Sequence, residues 1–131
     1  MCEVLLISTC KEKLHELEFV KPIEDILNEI NEHFFVKHYS KVSKKDLGIC
    51  SKVIICGTSI KDDFFLKDLK SFNWLKFFNK PVLGICAGMQ ILGRVYGGKP
   101  SKKTEIGFFH EKFVKDFLGI KGKQEVYHLH N

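Results

Sequence analysis

The chain has 131 residues and a formal net charge of +5, from 21 basic and 16 acidic side chains. This length suits one domain with a single core, and no apolar run approaches the roughly 20 residues of a membrane-spanning helix. Arg94 is the only arginine and the lysines are scattered, whereas nucleic-acid readers usually rely on arginine. We therefore expect no nucleic acid and no membrane among the partners. Because Met1 to Thr9 lacks the basic segment of a signal peptide, we expect a cytoplasmic protein.

Short apolar strands alternate with helical patterns over the first hundred residues. The predicted strands are Val4 to Ser8, Phe34 to Val42, Lys52 to Cys56 and Pro81 to Ile85. The predicted helical segments start near Pro22, near Ser43, near Leu69 and at Ala87, the last ending at Gly97. Beyond Pro100 the pattern changes, and strands are predicted from Thr104 to Val114 and from Glu125 to His130.

This alternation is typical of βαβ units. It predicts an α/β fold with a doubly wound, mostly parallel sheet and helices on both faces. In such sheets ligands bind at the carboxyl ends of the strands, and Gly57 and Cys86 both fall there.

One of the five cysteines has unusual neighbours. No two cysteines have CxxC spacing and their number is odd, which argues against a disulfide framework and a zinc ribbon. Cys86, however, is the centre of Gly84-Ile85-Cys86-Ala87-Gly88, a G-x-C-x-G pattern between a strand and a helix. This is the cysteine form of a nucleophile elbow.

The residues around Cys86 meet the physical requirements of such an elbow. A sharp strand-to-helix turn strains the backbone of its central residue, and flanking glycines let the turn close without a Cβ clash. The helix that starts at Ala87 points its free N–H groups and positive dipole end at the sulfur, which favours the nucleophilic thiolate. The N–H of Ala87 is placed to hold an oxyanion.

The stretch from Gly84 to Gln90 resembles the G-x-C-x-G-x-Q motif of the class I (triad) glutamine amidotransferases. "TEIGFF" (Thr104 to Phe109) and "VYHLHN" (Val126 to Asn131) are similar to segments of the subgroup related to the glutaminase half of GMP synthetase. "VIICGTS" lies where that family has its glycine-rich oxyanion loop. The resemblance covers nearly the whole chain and implies a flavodoxin-like glutamine amidotransferase fold.

The resemblance also implies a reaction. Cys86 would attack the side-chain amide of L-glutamine, form a thioester and release ammonia to a synthetase subunit or domain. The amides of Ala87, Gly57 and Thr58 would hold the oxyanion. The substrate-binding residues implied are Gln90, His130 and Asn131, and no cofactor or metal is expected.

Two departures from the family pattern stand out. The oxyanion loop has Gly57-Thr58 where the family usually has two glycines, so Thr58 can serve only if its backbone is not restricted to glycine. No His-x-Glu occurs in the 131 residues, and the resemblance places that pair beyond Asn131. We therefore expect one amidotransferase domain, 1–131, that is incomplete at its C-terminal end.

Other interpretations of the chain stay open. It could be a catalytically incomplete module that binds glutamine or a partner, or a cysteine hydrolase or redox protein of similar fold. His128 and His130 share one face of a strand, but two ligands alone make a poor metal site and no third is evident in the sequence. We expect each of them to be a structural histidine or a histidine beside the substrate.

Overall fold

The computed structural model describes residues 3–130, and the chain divides into two compact units. Unit 1 is Met1–Pro100 and unit 2 is Ser101–Asn131. The expectation of a single domain over 1–131 stays a prediction.

The centre of unit 1 is a four-stranded parallel sheet. Its strands are β1 (Glu3–Ser8), β2 (Phe34–His38), β3 (Cys50–Ile55) and β4 (Val82–Gly84), in the order β2-β1-β3-β4. Every neighbouring pair is parallel. Because the order departs from the sequence order at β1, the sheet is wound in two directions. The predicted parallel α/β architecture is confirmed.

The helices of unit 1 connect these strands. The α-helices are α1 (Glu16–Phe19), α2 (Lys21–Glu29), α3 (Lys44–Ile49) and α4 (Ala87–Val95). Three 3₁₀ segments are Lys13–His15, Tyr39–Lys41 and Phe64–Phe77. None of the helices within residues 3–130 combines the length and the apolar character needed to cross a bilayer.

Two predicted elements have different forms in the structure. The second strand ends at His38 rather than at Val42, because the His38 side chain accepts a hydrogen bond from the amide of Ser40 and the backbone turns there. The segment Phe64–Phe77 is 3₁₀ with a break at Asp68. Its apolar residues recur every three positions from Leu69, which suits the three residues per turn of a 3₁₀ helix.

Both faces of the sheet are covered by helices. On one face Leu5 and Ile7 pack in a cluster with Phe72, Leu75 and Ile91, from the long 3₁₀ segment and α4. On the opposite face, Val4 and Leu6 pack with Val20 and Leu27, at and within α2. Alternate residues of β1 therefore serve opposite layers, as expected for a strand buried on both faces.

Unit 2 is an antiparallel hairpin. Its strands are β5 (Glu105–Phe117) and β6 (Ile120–His130), longer than the sequence pattern predicts. Leu118 and Gly119 form the turn, with φ of 53° and 86°. The register pairs Glu105 with His130 at the open end of the hairpin.

Candidate functional site

Cys86 lies on a strained corner between β4 and α4. Its φ of 52° and ψ of −105° are values that L-residues rarely adopt, at a cost of order 1–3 kcal/mol. The helix begins at the next residue, and the amide of Gln90 donates to the carbonyl of Cys86 at 3.2 Å. The side chain of Cys86 is exposed. This is the geometry that the G-x-C-x-G pattern predicts.

The flanking glycines let α4 approach the sheet closely. A Cβ on Gly84 would lie 2.6 Å from the carbonyl carbon and oxygen of Gly88. A Cβ on Gly88 would lie 2.2 Å from the carbonyl oxygen of Ile55 in β3. Both contacts are with backbone, which cannot swing aside as a side chain can. The corner that presents Cys86 therefore depends on both glycines.

The loop after β3 lies against the elbow. A Cβ on Gly57 would lie 3.1 Å from the Cβ of Cys86, so the two residues are in direct contact. Thr58, the next residue, is buried. Its φ is not positive, so the backbone at this position does not require glycine. The role of the Thr58 amide in holding an oxyanion stays a prediction.

Asp62 anchors this loop. Its Oδ2 accepts hydrogen bonds from the Thr58 hydroxyl at 2.7 Å and from the amide of Lys11 at 2.8 Å, while its Oδ1 accepts from the amide of Phe64 at 3.2 Å. Burial raises the pKa of Asp62, but these hydrogen bonds lower it more, and the result is below the usual 3.8. Asp62 was not among the site residues predicted from the sequence. The sequence feature that indicates such a loop anchor is an Asp four residues after a Thr in a short loop.

The four cysteines within residues 3–130 differ in accessibility. Cys10, Cys50 and Cys56 are buried, whereas Cys86 is exposed. Burial raises the pKa of Cys56 to about 12 and also raises the pKa of Cys10. These buried thiols stay protonated and shielded at neutral pH. Cys86 is therefore the accessible thiol among the four.

The remaining predicted site residues fall in three places. Gln90 is exposed on the first turn of α4, in the same unit as Cys86 and the Gly57 loop. His130 is in unit 2, at the end of β6. Asn131 lies outside the described residues. The structure thus assembles Gly57, Thr58, Cys86, Ala87 and Gln90 within unit 1.

Unit 2 contains a cluster of its own. Glu105 Oε2 lies 2.7 Å from His128 Nδ1 and 2.9 Å from His130 Nε2, and Lys103 Nζ lies 2.5 Å from Glu105 Oε1. The hydrogen bonds from Lys103 and the two histidines lower the pKa of Glu105 to about 2. The two histidines stand out in the sequence, whereas Glu105 was not predicted to lie beside them. Its proximity follows from the antiparallel register, which the sequence pattern did not give.

Unit 1 is thus a parallel α/β unit with a cysteine at a nucleophile elbow, and comparison with known proteins gives its family. Residues 57–131 match the model of the family described as glutamine amidotransferase class-I. This match covers more than half of the chain, and the chain belongs to that family.

Two solved structures are similar to the chain over almost its full length. A glutamine amidotransferase from Thermotoga maritima is 25% identical with a TM-score of 0.66, and 98% of this chain is covered. A glutamine amido transferase from Methylobacillus flagellatus is 22% identical with a TM-score of 0.65 over 99% of this chain, which supports the fold alone. The chain spans 60% and 55% of those two chains. No curated protein matches it.

Proposed function

We propose that this chain contributes the nucleophile and the oxyanion-binding part of a glutaminase site, which releases ammonia from L-glutamine. The observation that carries the proposal is the position of Cys86. It is an exposed thiol on a positive-φ corner at the start of α4, in contact with Gly57. Family membership supports glutamine as the substrate.

The proposed reaction proceeds through a thioester. The thiolate of Cys86 attacks the side-chain carbonyl carbon of glutamine, a C–S bond forms, and the carbonyl electrons move to oxygen. When this intermediate collapses, the C–N bond breaks and the nitrogen takes up a proton and leaves as ammonia. Water then attacks the thioester, which releases glutamate and restores the thiol.

The oxyanion is proposed to be held by three backbone amides. Ala87 is the first residue of α4, where N–H groups have no partner within the helix. The amides of Gly57 and Thr58 come from the loop that contacts Cys86. Donors fixed before the reaction stabilise the developing charge without reorganising, and loss of one such donor typically costs 10²–10³-fold in rate.

The residues that contact the rest of the substrate, and the acceptor of the product, are assigned by family resemblance. Gln90 on the first turn of α4 would contact the bound glutamine, and the backbone of His130 and Asn131 would meet its amino-acid head group. The ammonia would pass to a synthetase subunit or domain. We propose no cofactor for this reaction, and a cytoplasmic location for the protein.

A second candidate function is a glutamine- or partner-binding module without turnover. Its basis is that these 131 residues contain the elbow thiol and no His-x-Glu, so within them the thiol has no base of the family pattern. A thiol nucleophile needs a base to carry its proton to the leaving nitrogen. A pocket could still hold glutamine when that base is missing.

One experiment separates these two candidates from a chain with no glutamine site. The protein is incubated with an electrophilic glutamine analogue and its intact mass is measured, with Cys86→Ser as the control variant. One adduct that is absent in Cys86→Ser is the expected result. Protection of the thiol by excess glutamine, but not by glutamate, is expected for a formed pocket.

Turnover is then measured as ammonia release from glutamine. Release that disappears in Cys86→Ser supports the glutaminase, whereas labelling without release supports the binding module. If Cys86 reacts no faster than a thiol in an unfolded peptide and glutamine gives no protection, the glutaminase and the glutamine-binding module both fail.

A further inference from the structure

The open end of the β5–β6 hairpin brings together three side chains of the types that bind metals. Glu105 lies opposite His130 in the register, and His128 lies two residues before His130 on the same face. Donor atoms of these three residues all lie within 4.8 Å of one another. We propose that Glu105, His128 and His130 bind a divalent transition-metal cation of the zinc type. The proposal uses the side chain of His130, whereas the proposed glutaminase uses only the backbone of that residue.

The donor set fits zinc chemically. Two imidazole nitrogens and one carboxylate oxygen are the three protein ligands of a common open zinc site, in which water takes the fourth position. Tetrahedral bonds of about 2.0–2.1 Å place neighbouring donor atoms about 3.3 Å apart. Glu105 Oε2 now lies 2.7 Å from His128 Nδ1 and 2.9 Å from His130 Nε2. Side-chain rotations that increase each of these two distances by about half an ångström would admit the ion.

The surroundings hold the ligands in orientation. The ring of Phe109 stacks on the ring of His128 with centroids 4.5 Å apart, and Glu111 Oε1 lies 3.6 Å from His128 Nε2. A carboxylate beside the outer nitrogen of a ligand histidine is the usual support for such a ligand, because it directs the other nitrogen to the metal. Lys103 lies against Glu105 Oε1 and so leaves Oε2 facing the histidines.

The hairpin also leaves room for the ion. Gly107 is the residue opposite His128, and nothing within 4 Å would meet a Cβ placed on it. The side chains of Glu105 and His128 are only 14% and 20% exposed, so the site is partly shielded from water. An ion here would join β5 to β6 at the open end of a two-stranded ribbon, an element that is marginally stable alone.

The test is a zinc titration of the full 131-residue chain. The background carries Cys86→Ser, because cysteine sulfur is a common zinc ligand and Cys86 is exposed. Calorimetry is expected to show one equivalent of Zn²⁺ bound. His128→Gln and His130→Gln are each expected to weaken binding by more than about 100-fold, and Glu111→Gln by about 10-fold, the range seen for supporting residues.

The matched control is His110→Gln. His110 is on the same hairpin but pairs with Glu125 at 3.5 Å, on the face opposite the cluster, and its loss is expected to leave zinc affinity unchanged. Circular dichroism without zinc reports whether each variant is folded. In the protein that keeps all three proposed ligands, zinc is expected to shift the ring-nitrogen NMR signals of His128 and His130. This measurement requires no substitution of a ligand.

Two results would overturn the proposal. One is the lack of saturable zinc binding, which would leave the cluster as a hydrogen-bonded network only. The other is zinc binding that persists in His128→Gln and His130→Gln, or that shifts neither ring signal, which would place the ion elsewhere.

Discussion

Gly57 and Cys86 are in contact across the end of the sheet: a Cβ on Gly57 would lie 3.1 Å from the Cβ of Cys86 and 3.5 Å from the carbonyl oxygen of Ile85. The loop after β3 and the elbow after β4 therefore pack so closely that a side chain at residue 57 would push them apart by a few tenths of an ångström. This contact joins the two segments that the proposed oxyanion site requires.

Gly57→Ala is expected to displace the elbow by a few tenths of an ångström and to slow labelling of Cys86 by the glutamine analogue. A slowing of roughly tenfold is expected, since reacting groups are sensitive to such displacements. The control is Gly48→Ala in α3, where nothing lies within 4 Å of the added Cβ. Equal labelling rates for Gly57→Ala and the unsubstituted protein would contradict this account of the contact.

Replacing either of two glycines of α4 by alanine should change the free energy of unfolding, in opposite directions for the two positions. Gly88→Ala would place a Cβ 2.2 Å from the carbonyl oxygen of Ile55, whereas nothing lies within 4 Å of a Cβ on Gly93. We expect Gly88→Ala to lower the free energy of unfolding by about 3 kcal/mol or more. Gly93→Ala should raise it by about 0.5–1 kcal/mol, because alanine loses less backbone entropy in a helix.

Urea unfolding of both variants is the measurement, and insoluble expression of Gly88→Ala alone would agree with the larger cost. If both variants were equally stable, the close approach of α4 to β3 would be wrong.

Asp62→Ala is expected to loosen the loop that carries Gly57 and Thr58. The variant removes the acceptor of the Thr58 hydroxyl and of the Lys11 amide. Labelling of Cys86 by the glutamine analogue is expected to slow by roughly tenfold. Asp62→Asn keeps one acceptor oxygen and should restore part of the rate.

The matched control for the loop is Asp63→Ala, because Asp63 is exposed and makes no side-chain cap hydrogen bond. The rate of labelling by iodoacetamide, which needs no glutamine pocket, should be nearly unchanged in Asp62→Ala. If Asp63→Ala slowed labelling as much as Asp62→Ala, the anchoring role of Asp62 would be rejected.

The stability contributed by Asp46 should depend on pH. Its Oδ2 accepts from the amide and the hydroxyl of Ser43, both at 2.8 Å, in the capping box of α3. These hydrogen bonds hold the pKa of Asp46 below its usual 3.8. Because the folded-state pKa is lowered, the contribution is fully present above the unfolded-state pKa and is lost as pH falls through the folded-state value.

Asp46→Asn is therefore expected to cost about 1 kcal/mol at neutral pH, as for loss of a helix cap. The difference from the unsubstituted protein should shrink toward zero in acid. Urea unfolding at both pH values measures this, with the exposed Asp63→Asn as control. A difference that stayed constant with pH would show that the carboxylate charge is not what stabilises the cap.

Features that depend on local pattern could be predicted from the sequence. The four parallel strands, the helix from Ala87 and the corner at Cys86 follow from apolar runs, glycine spacing and one cysteine, all within a few residues of one another. The 3₁₀ form of Phe64–Phe77 could not be predicted, because apolar residues three positions apart suit a 3₁₀ helix and an α-helix alike.

By itself, the sequence determined the alternation of strands and helices and the position of the thiol on its strained turn, since backbone sterics and hydrophobic periodicity act locally. Only the tertiary structure decided which distant residues meet. Gly57 contacts Cys86 because β3 and β4 are neighbours in the sheet, and Glu105 meets His128 and His130 because the hairpin register places it there. Strand order and register are set by packing of the whole unit, and a shift of one residue would send each side chain to the other face.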